Sequence, residues 1–334
     1  MVQGSCVVSR ILAFRPATVV ERLAPTNAAC PLSLRELLRP AAARRGALPV
    51  VRAPIAGVAR GALVAAKELQ SALGLALPPG VAPEPWFAAV TQAADEIAAG
   101  MPIFLSAEVT VEGEDELQVE RAFHEAWRLV EAGITHLAVD VAGVPAGSRA
   151  RVLDEVARVA VERGICVDCV VPLAGDRPSA SRAAALFDEL ARRGTAPDLA
   201  SVRCPAPADA AEAREQVRRL VEICAGLSGL PVLRRGPVTP GLLAELAGSP
   251  VKACEDGGLA ATSAISIIPW DLIAAPAGES RDSPLERAAA ELSADAGDRL
   301  EARAYVEASD FIERLGAPGS AVALARALER ELDG

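Results

Sequence analysis

A short apolar run followed by a longer helix-like stretch recurs eight times along this chain. The runs are continuous rather than alternating, which is typical of strands covered on both faces of a sheet. The distance from one run to the next, roughly 25–35 residues, fits a strand–helix–strand crossover. The eight runs lie at residues 48–52, 73–77, 102–108, 134–140, 165–171, 197–204, 230–235 and 250–256.

Eight such units in succession predict an α/β fold of the TIM (β/α)8 barrel type. A doubly wound open sheet is the alternative. Its dinucleotide-binding form would carry G-x-G-x-x-G after the first strand, and "VVRAPIAGVARG" lacks that pattern. We therefore expect a closed barrel without a nucleotide fingerprint.

The eight units divide the chain into three parts. Residues 1–30 form an N-terminal extension, 31–278 the barrel, and 279–334 a helical extension packed on the barrel, broken near 315–320. Residues 31–46 are expected to form a helix that closes the barrel bottom. The stretch "AGESRDSP" (277–284) is the most linker-like.

Composition excludes several classes of protein. Of 334 residues, 51% are hydrophobic, and the net charge of −10 disfavours nucleic acid as a partner. Seven scattered cysteines indicate a reducing compartment rather than a disulfide framework. The longest apolar region, "GLAATSAISIIPWDLIAAPA", contains Asp271 and two prolines, so no membrane span is expected. The prediction is a cytoplasmic protein, although the lack of acids before Glu21 leaves a transit peptide open.

Charged residues mark the carboxyl ends of most of the predicted strands. In a barrel these ends meet at one face, where active and binding sites lie. Lys252 shares a strand face with Cys254, because side chains alternate along a strand. The other candidates are Arg52, Glu108, Asp140, Asp168 with Cys169, Arg203 with Cys204, Arg234 with Arg235, and Glu255 with Asp256.

Several segments resemble the class II (zinc-dependent) fructose- and tagatose-bisphosphate aldolases. "PLSLRELLRPAAARRGALPVVR" is similar to the opening helix and first strand of that family. "GITHLAVDVAGVPAGSRARVLDEVARVAVERGICVDCVV" is similar to its fourth strand, turn, helix and fifth strand, and "RLGAPGS" to its closing element. The resemblance runs along residues 31–325 as pattern and spacing.

The resemblance assigns roles to individual positions. The family's third strand ends in Asp-His, an acid/base and a zinc ligand, whereas this chain has Glu108 and Val109. Its acids on strands four and five correspond to Asp140 and Asp168. On these grounds Glu108, Asp140 and Lys252 are the candidate catalytic residues.

The zinc ligands of the family are missing at the matching positions. Its two remaining zinc histidines fall near Cys204 and on Arg234, and its last strand "KxNxDT" becomes "KACEDG", with Lys252 and Asp256 kept. His124 lies on an outer helix and His136 early in the fourth strand, so neither supplies a ligand. We expect no metal and no cofactor, although zinc is normal for the family.

Other combinations of cysteine and carboxylate remain to be weighed. Glu108, Cys204, Cys254 and Asp256 form a hypothetical substitute metal site. The "CVDC" motif lies in a strand, where positions three apart point to opposite faces, so it indicates two buried thiols.

Two functional hypotheses follow. In the first, the chain is a non-catalytic or regulatory barrel that binds a phosphorylated small molecule or another anion, or a partner subunit. The ligand-binding residues are then Arg203, Arg234, Arg235 and Asp256, because guanidinium groups match phosphate oxygens. A homo-oligomer is expected by analogy with the family.

The second hypothesis is an active carbon–carbon lyase with altered machinery. Glu108 would shuttle the proton, Asp140 would position the substrate, and Arg203 or Arg234 would take over charge stabilisation from the metal. Lys252 could instead form a Schiff base. A structural alternative remains for all these groups: the arginines neutralise Glu108, Asp140 and Asp256, and Lys252 pairs with Glu108, Asp140 or Glu255.

Overall fold

The computed structural model describes residues 10–41, 46–172, 178–227, 230–274 and 284–333. Its central feature is a closed barrel of eight parallel strands, β2 to β9, in which each strand pairs with the next along the chain and β2 pairs with β9. The TIM-type barrel predicted from the sequence is therefore confirmed. A short additional strand, β1, pairs with the first residues of β4.

The eight barrel strands coincide closely with the predicted apolar runs, whereas the short strand β1 was not predicted. The last one is shorter than expected, because Pro250 has no backbone N–H to contribute to a ladder. The strands are β1 (Cys30–Pro31), β2 (Leu48–Arg52), β3 (Leu73–Ala76), β4 (Pro102–Thr110), β5 (His136–Asp140), β6 (Cys166–Pro172), β7 (Leu199–Arg203), β8 (Val232–Arg235) and β9 (Ala253–Glu255).

Helices alternate with the strands and continue beyond the barrel. A 3₁₀ helix covers Leu12–Phe14. The α-helices are α1 (Ala17–Val20), α2 (Leu34–Ala41), α3 (Ala56–Glu68), α4 (Pro83–Ala98), α5 (Glu116–Glu131), α6 (Arg149–Glu162), α7 (Pro178–Arg193), α8 (Ala210–Gly226), α9 (Pro240–Leu246), α10 (Leu259–Ile265), α11 (Trp270–Ala274), α12 (Pro284–Ala290), α13 (Ala294–Arg314) and α14 (Ser320–Leu332).

Several helix starts are fixed by acceptor side chains. The side chain of Asp115 accepts a hydrogen bond from the backbone N–H of Gln118 at the start of α5 (3.1 Å). Asp209 does the same for Glu212 at the start of α8 (2.8 Å). These contacts satisfy backbone donors that a helix leaves open in its first turn, and so they set where each outer helix begins.

The strands bury side chains on both faces, and the two faces belong to different apolar clusters. Leu48, Val50 and Phe104 belong to the cluster inside the barrel, together with Leu233 and Ala253. Neighbouring residues such as Val51, Leu105 and Cys254 belong to the layer between the barrel and the outer helices. Burial on both faces explains the continuous apolar runs in the sequence.

Helix α2 closes the amino-terminal end of the barrel, as expected for residues 31–46. Leu34 and Leu37 are buried in the interior cluster. Arg35 binds both carboxylate oxygens of Asp198 just before β7, at 2.6 and 2.8 Å. Among the described residues, an apolar plug and a bidentate ion pair together cover this end of the barrel.

The C-terminal helices pack onto the barrel. Helix α13 lies along α3 so closely that a Cβ atom at Gly61 would stand 2.4 Å from the carbonyl oxygen of Glu301. Ser320, which opens α14, accepts a hydrogen bond from the backbone N–H of Ala72 (2.8 Å). Within the described ranges, no helix is both long enough and apolar enough to cross a membrane.

Candidate functional site at the barrel mouth

Charged side chains from six strands converge at the carboxyl end of the barrel. We call this set the mouth cluster; it consists of Arg52, Glu108, Asp140, Arg203, Arg235 and Glu255. Hydrogen bonds or ion pairs connect all six in one chain, in the order Arg52–Glu255–Arg235–Glu108–Arg203–Asp140. The strand register accounts for part of this, since Arg203 lies beside Arg235 on the paired strands β7 and β8.

Arg235 is the most deeply placed cation of the mouth cluster. Only 5% of its side chain is exposed. Its terminal nitrogens lie 3.0 Å from Glu255, 3.1 Å from Asp168 and 3.6 Å from Glu108. Burial lowers the pKa of Arg235, but these carboxylates outweigh that effect and the pKa stays above its ordinary value. Arg235 therefore remains charged and holds three strands together.

Arg203 spans the gap between two carboxylates at the outer edge of the cluster. One of its terminal nitrogens donates to Glu108 Oε1 (2.5 Å) and to Asp140 Oδ2 (2.9 Å). Nearly half of the Arg203 side chain is exposed (46%), compared with 21% for Glu108 and 10% for Asp140. Arg203 is thus the most exposed member of the mouth cluster.

Arg52 forms a second exposed cationic edge. Its guanidinium donates to Glu255 Oε1 (2.5 Å) and is 39% exposed, whereas Glu255 is buried. Burial raises the pKa of Glu255, but Arg235, Arg52 and Arg203 together overcome it and lower the pKa below its ordinary value. Glu255 therefore stays charged and anchors the guanidinium group of Arg52 at the mouth.

A neutral histidine lies beneath the mouth cluster, inside the barrel. His136 Nδ1 lies 2.9 Å from Ser106 Oγ, and His136 Nε2 lies 3.2 Å from Asp168 Oδ2. Burial lowers the pKa of His136. Asp168 is desolvated, yet His136 and Arg235 keep its pKa below the ordinary value. A carboxylate only accepts hydrogen bonds, so Nε2 carries the proton and Nδ1 accepts one from Ser106.

The position expected for Arg234 is wrong. Its side chain points away from the mouth and is fully buried, and its terminal nitrogens donate to the carbonyl oxygens of Gly236 and Pro237 (both 2.6 Å). Adjacent residues of a strand face opposite sides, so Arg234 and Arg235 cannot both reach the mouth. Arg234 shapes the turn after β8 and is separated from Glu108.

Lys252 also lies outside the mouth cluster. It precedes β9 and shares a face with Cys254, as expected, but that face belongs to the outer layer. Its charge acts on the thiol of Cys224 in α8, whose pKa burial raises to about 11. Glu108 and Glu255 take arginine partners instead. The carboxylates of the mouth cluster are thus held by arginines, and Lys252 lies on the other face of its strand.

Asp256 does not face the mouth either. It is buried and accepts hydrogen bonds from the backbone N–H groups of Arg52 (3.2 Å), Gly258 (2.8 Å) and Ala260 (3.1 Å). Burial raises its pKa to about 6, although these donors favour the charged form. It fastens the β2–β9 seam to the start of α10, and no arginine neutralises it among the described ion pairs.

The cysteines do not assemble a substitute metal site. Cys204 and Cys254 lie in the outer layer, on the opposite side of the barrel wall from Glu108. Burial raises the pKa of Cys204 to about 11 and that of Cys254 to about 12, so both are thiols. In the "CVDC" motif, Cys166 faces the interior and Cys169 the outer layer, and both are buried, which confirms the structural interpretation.

The mouth does not fit the zinc centre that the sequence resemblance implies. Glu108 and Asp140 hold a guanidinium between them, and its positive charge repels a divalent cation. His136 is engaged inside the barrel, and His124 is largely exposed on α5. Among the residues that the structure describes, no three His, Cys, Asp or Glu side chains are grouped to hold a metal ion.

Sequence reasoning missed the roles of two mouth residues and of the interior pair. The sequence marks Arg52 as a strand tip, Glu255 as a strand tip and a candidate partner of Lys252, and His136 as a residue that begins its strand. A signal does exist: Ser106 and Glu108 are two apart in β4, and His136 and Asp140 are four apart in β5, so each strand carries these polar groups on one face. Which face points inward was not readable from the sequence.

The described strands form a TIM barrel whose charged cluster lies at the carboxyl end of the strands. Two solved structures with this architecture are those of the YdjI aldolase from Escherichia coli K12 and of the fructose-bisphosphate aldolase from Campylobacter jejuni. The first superposes with a TM-score of 0.60 at 13% identity, over 86% of this chain and 98% of that one. The second gives 0.59 at 11% identity, over 86% and 95%.

These identities establish a shared fold and not a shared activity. No protein-family model matches the sequence, and no curated protein matches it. The class II aldolase resemblance seen in the sequence is thus supported at the level of the fold.

Proposed function

We propose that this chain is an aldolase-like barrel that binds a small molecule through an anionic group at its mouth, and that it does so without zinc-dependent carbon–carbon cleavage. One observation carries the proposal: Arg52 and Arg203 both belong to the mouth cluster and keep 39% and 46% of their side chains exposed. Two guanidinium edges at the open end of a barrel suit a phosphate or a carboxylate.

The arrangement of hydrogen bonds leaves each of these arginines able to bind a ligand. Arg52 uses one terminal nitrogen for Glu255, and Arg203 uses one for Glu108 and Asp140. The remaining nitrogens have no hydrogen bond to another described residue. A guanidinium group presents five donors, so an oxyanion can bind the open edge while the ion pairs stay in place.

Catalysis of the kind suggested by the resemblance has little support at this mouth. The zinc ligands are replaced, and Arg203 occupies the space between Glu108 and Asp140. A Schiff base at Lys252 would form on the outer side of the barrel wall, away from the mouth. Glu108 Oε1 accepts a hydrogen bond from Arg203 (2.5 Å) and Oε2 lies 3.6 Å from Arg235, so this carboxylate belongs to the ion-pair network of the mouth cluster and does not lie beside a metal site.

The test combines metal content, binding and turnover on the purified full-length chain. We expect substoichiometric zinc, thermal stabilisation by inorganic phosphate or acetate, and no release of triose from fructose 1,6-bisphosphate. Arg52→Gln should weaken binding by about 10- to 100-fold, the range of one charge-assisted hydrogen bond. Arg60→Gln is the matched control, because Arg60 is an exposed arginine that pairs with Glu96 and Glu301.

Three outcomes would refute this proposal. Stoichiometric zinc would show that the mouth binds the metal despite its arginines. Turnover that is lost in Glu108→Gln would establish the lyase hypothesis instead. Equal binding by wild type, Arg52→Gln and Arg203→Gln would place the anion elsewhere. Circular dichroism on each variant separates a lost contact from a lost fold.

A further inference from the structure

The mouth cluster contains as many negative as positive charges. Arg52, Arg203 and Arg235 are balanced by Glu108, Asp140 and Glu255, and the signs alternate along the connected chain. Beneath it, Asp168 contributes a further negative charge, because the pKa of His136 is lowered and the ring is neutral. The described barrel interior thus has no excess of positive charge, and the chain as a whole carries −10.

This balance limits the kind of anion that the mouth accepts. A polyanion such as a sugar bisphosphate would bring several negative charges to a region where every guanidinium already has a carboxylate partner. To form hydrogen bonds with all the nitrogens of a guanidinium group, the bisphosphate would have to displace Arg203 from Glu108 and Asp140. Those carboxylates would then be unpaired and partly buried, which is costly.

A ligand that carries both signs avoids this cost. Its carboxylate can bind the open edge of Arg52 or Arg203, while a cationic group can approach Glu108, which is 21% exposed and lies next to Arg203 in the same mouth. Each new charge then meets an opposite one, and the alternation of signs in the mouth cluster continues through the ligand.

We propose that the natural ligand is a small zwitterion of the amino acid class, bound by its carboxylate to Arg52 or Arg203 and by its ammonium to Glu108. This inference rests on the proposed anion-binding function and narrows it. It adds Glu108 as the residue that selects for an ammonium group, and it sets sugar bisphosphates aside as poor ligands.

The experiment begins with thermal shift of the full-length chain against pools of the standard L-amino acids, followed by calorimetry on the member that stabilises most. Two matched probes are its N-acetyl derivative, which lacks the ammonium, and its amide, which lacks the carboxylate. Each should bind at least about 10-fold more weakly than the parent amino acid, as expected for one lost charge-assisted contact.

Variants then assign the two ends of the ligand. Glu108→Gln should weaken the amino acid by about 10-fold or more and leave the N-acetyl derivative unchanged. Arg52→Gln and Arg203→Gln test the carboxylate end, with Arg60→Gln as control. Glu108→Asp should restore part of the affinity, since the charge is kept and only the reach is shortened.

The results separate the two proposals. If fructose 1,6-bisphosphate or the N-acetyl derivative binds as tightly as the best amino acid, the zwitterion inference is wrong while anion binding stands. If no amino acid, phosphate or bisphosphate stabilises the chain, both proposals fail. Amino acid binding that Glu108→Gln leaves intact would overturn the assigned role of Glu108.

Discussion

Arg235 offers the most direct test of how the mouth cluster is held together. Its buried guanidinium serves three carboxylates from three other strands, at 3.0 Å (Glu255), 3.1 Å (Asp168) and 3.6 Å (Glu108). Replacing it by methionine keeps an unbranched side chain, although a shorter one, and removes the charge. Asp168 then depends on His136 and Ser201, and Glu255 on Arg52 alone.

The expected cost follows from burial. Removing one partner of a buried ion pair leaves an uncompensated charge and typically destabilises a protein by about 3–5 kcal/mol. Because Glu255 retains Arg52, we expect Arg235→Met to lie near the lower end, at about 3 kcal/mol. The exposed control Arg60→Met should cost less than about 1 kcal/mol, as surface pairs do.

Urea unfolding followed by circular dichroism measures both variants. The deficit of Arg235→Met should shrink below about pH 5, where the stranded carboxylates can take up protons. The double variant Arg235→Met/Asp168→Asn should recover part of the loss, since it removes a charge that Arg235→Met leaves unpaired. A deficit under about 1 kcal/mol, or one that is the same at every pH, would refute the view that Arg235 is an ionic hub.

Three further predictions concern the structure around the mouth and at the barrel bottom. Burial raises the pKa of Asp256 to about 6, above its ordinary 3.8, so the stability that it contributes is fully present below about pH 4 and lost as the pH rises through 6. The loss of stability amounts to at most about 3 kcal/mol. Asp256→Asn should remove this dependence of the unfolding free energy on pH in urea titrations, and an unchanged dependence would contradict the raised pKa of Asp256. Gly236→Ala should lower stability by more than about 1 kcal/mol, because φ is +113° and the new Cβ would lie 2.2 Å from the carbonyl oxygen of Cys204; a neutral effect would show that the turn is slack. Asp198→Ala should speed hydrogen exchange at the Val167 amide, which donates to Asp198 (2.9 Å); unchanged exchange there, compared with Arg60→Met, would show that the Arg35–Asp198 seal contributes nothing.

The barrel itself could be predicted because its signal is local. Each strand, buried on both faces, produces a continuous apolar run such as "LPVVR", and each outer helix follows at a regular distance. The closing helix α2 and the C-terminal helices were also predictable, since their apolar positions repeat with the helical period.

The candidate site was predictable only in part. Glu108, Asp140, Arg203 and Arg235 meet at the mouth, whereas Arg234, Lys252 and Asp256 do not. All of these lie at or near strand ends, so proximity in sequence could not separate them. Both faces of each strand are buried and apolar, and this pattern predicts the barrel. The same pattern does not show which face of a strand points inward.

The amino-acid sequence by itself determined where the strands and helices lie and how many units close the barrel, because burial and periodicity leave apolar patterns among residues that are neighbours in sequence. Tertiary structure alone decided which of two adjacent arginines reaches the mouth. That choice depends on the register and tilt with which eight strands close, and these set the inward face of every strand at once. The pairing of Arg235 with carboxylates from β4, β6 and β9 follows from that closure and from no local pattern.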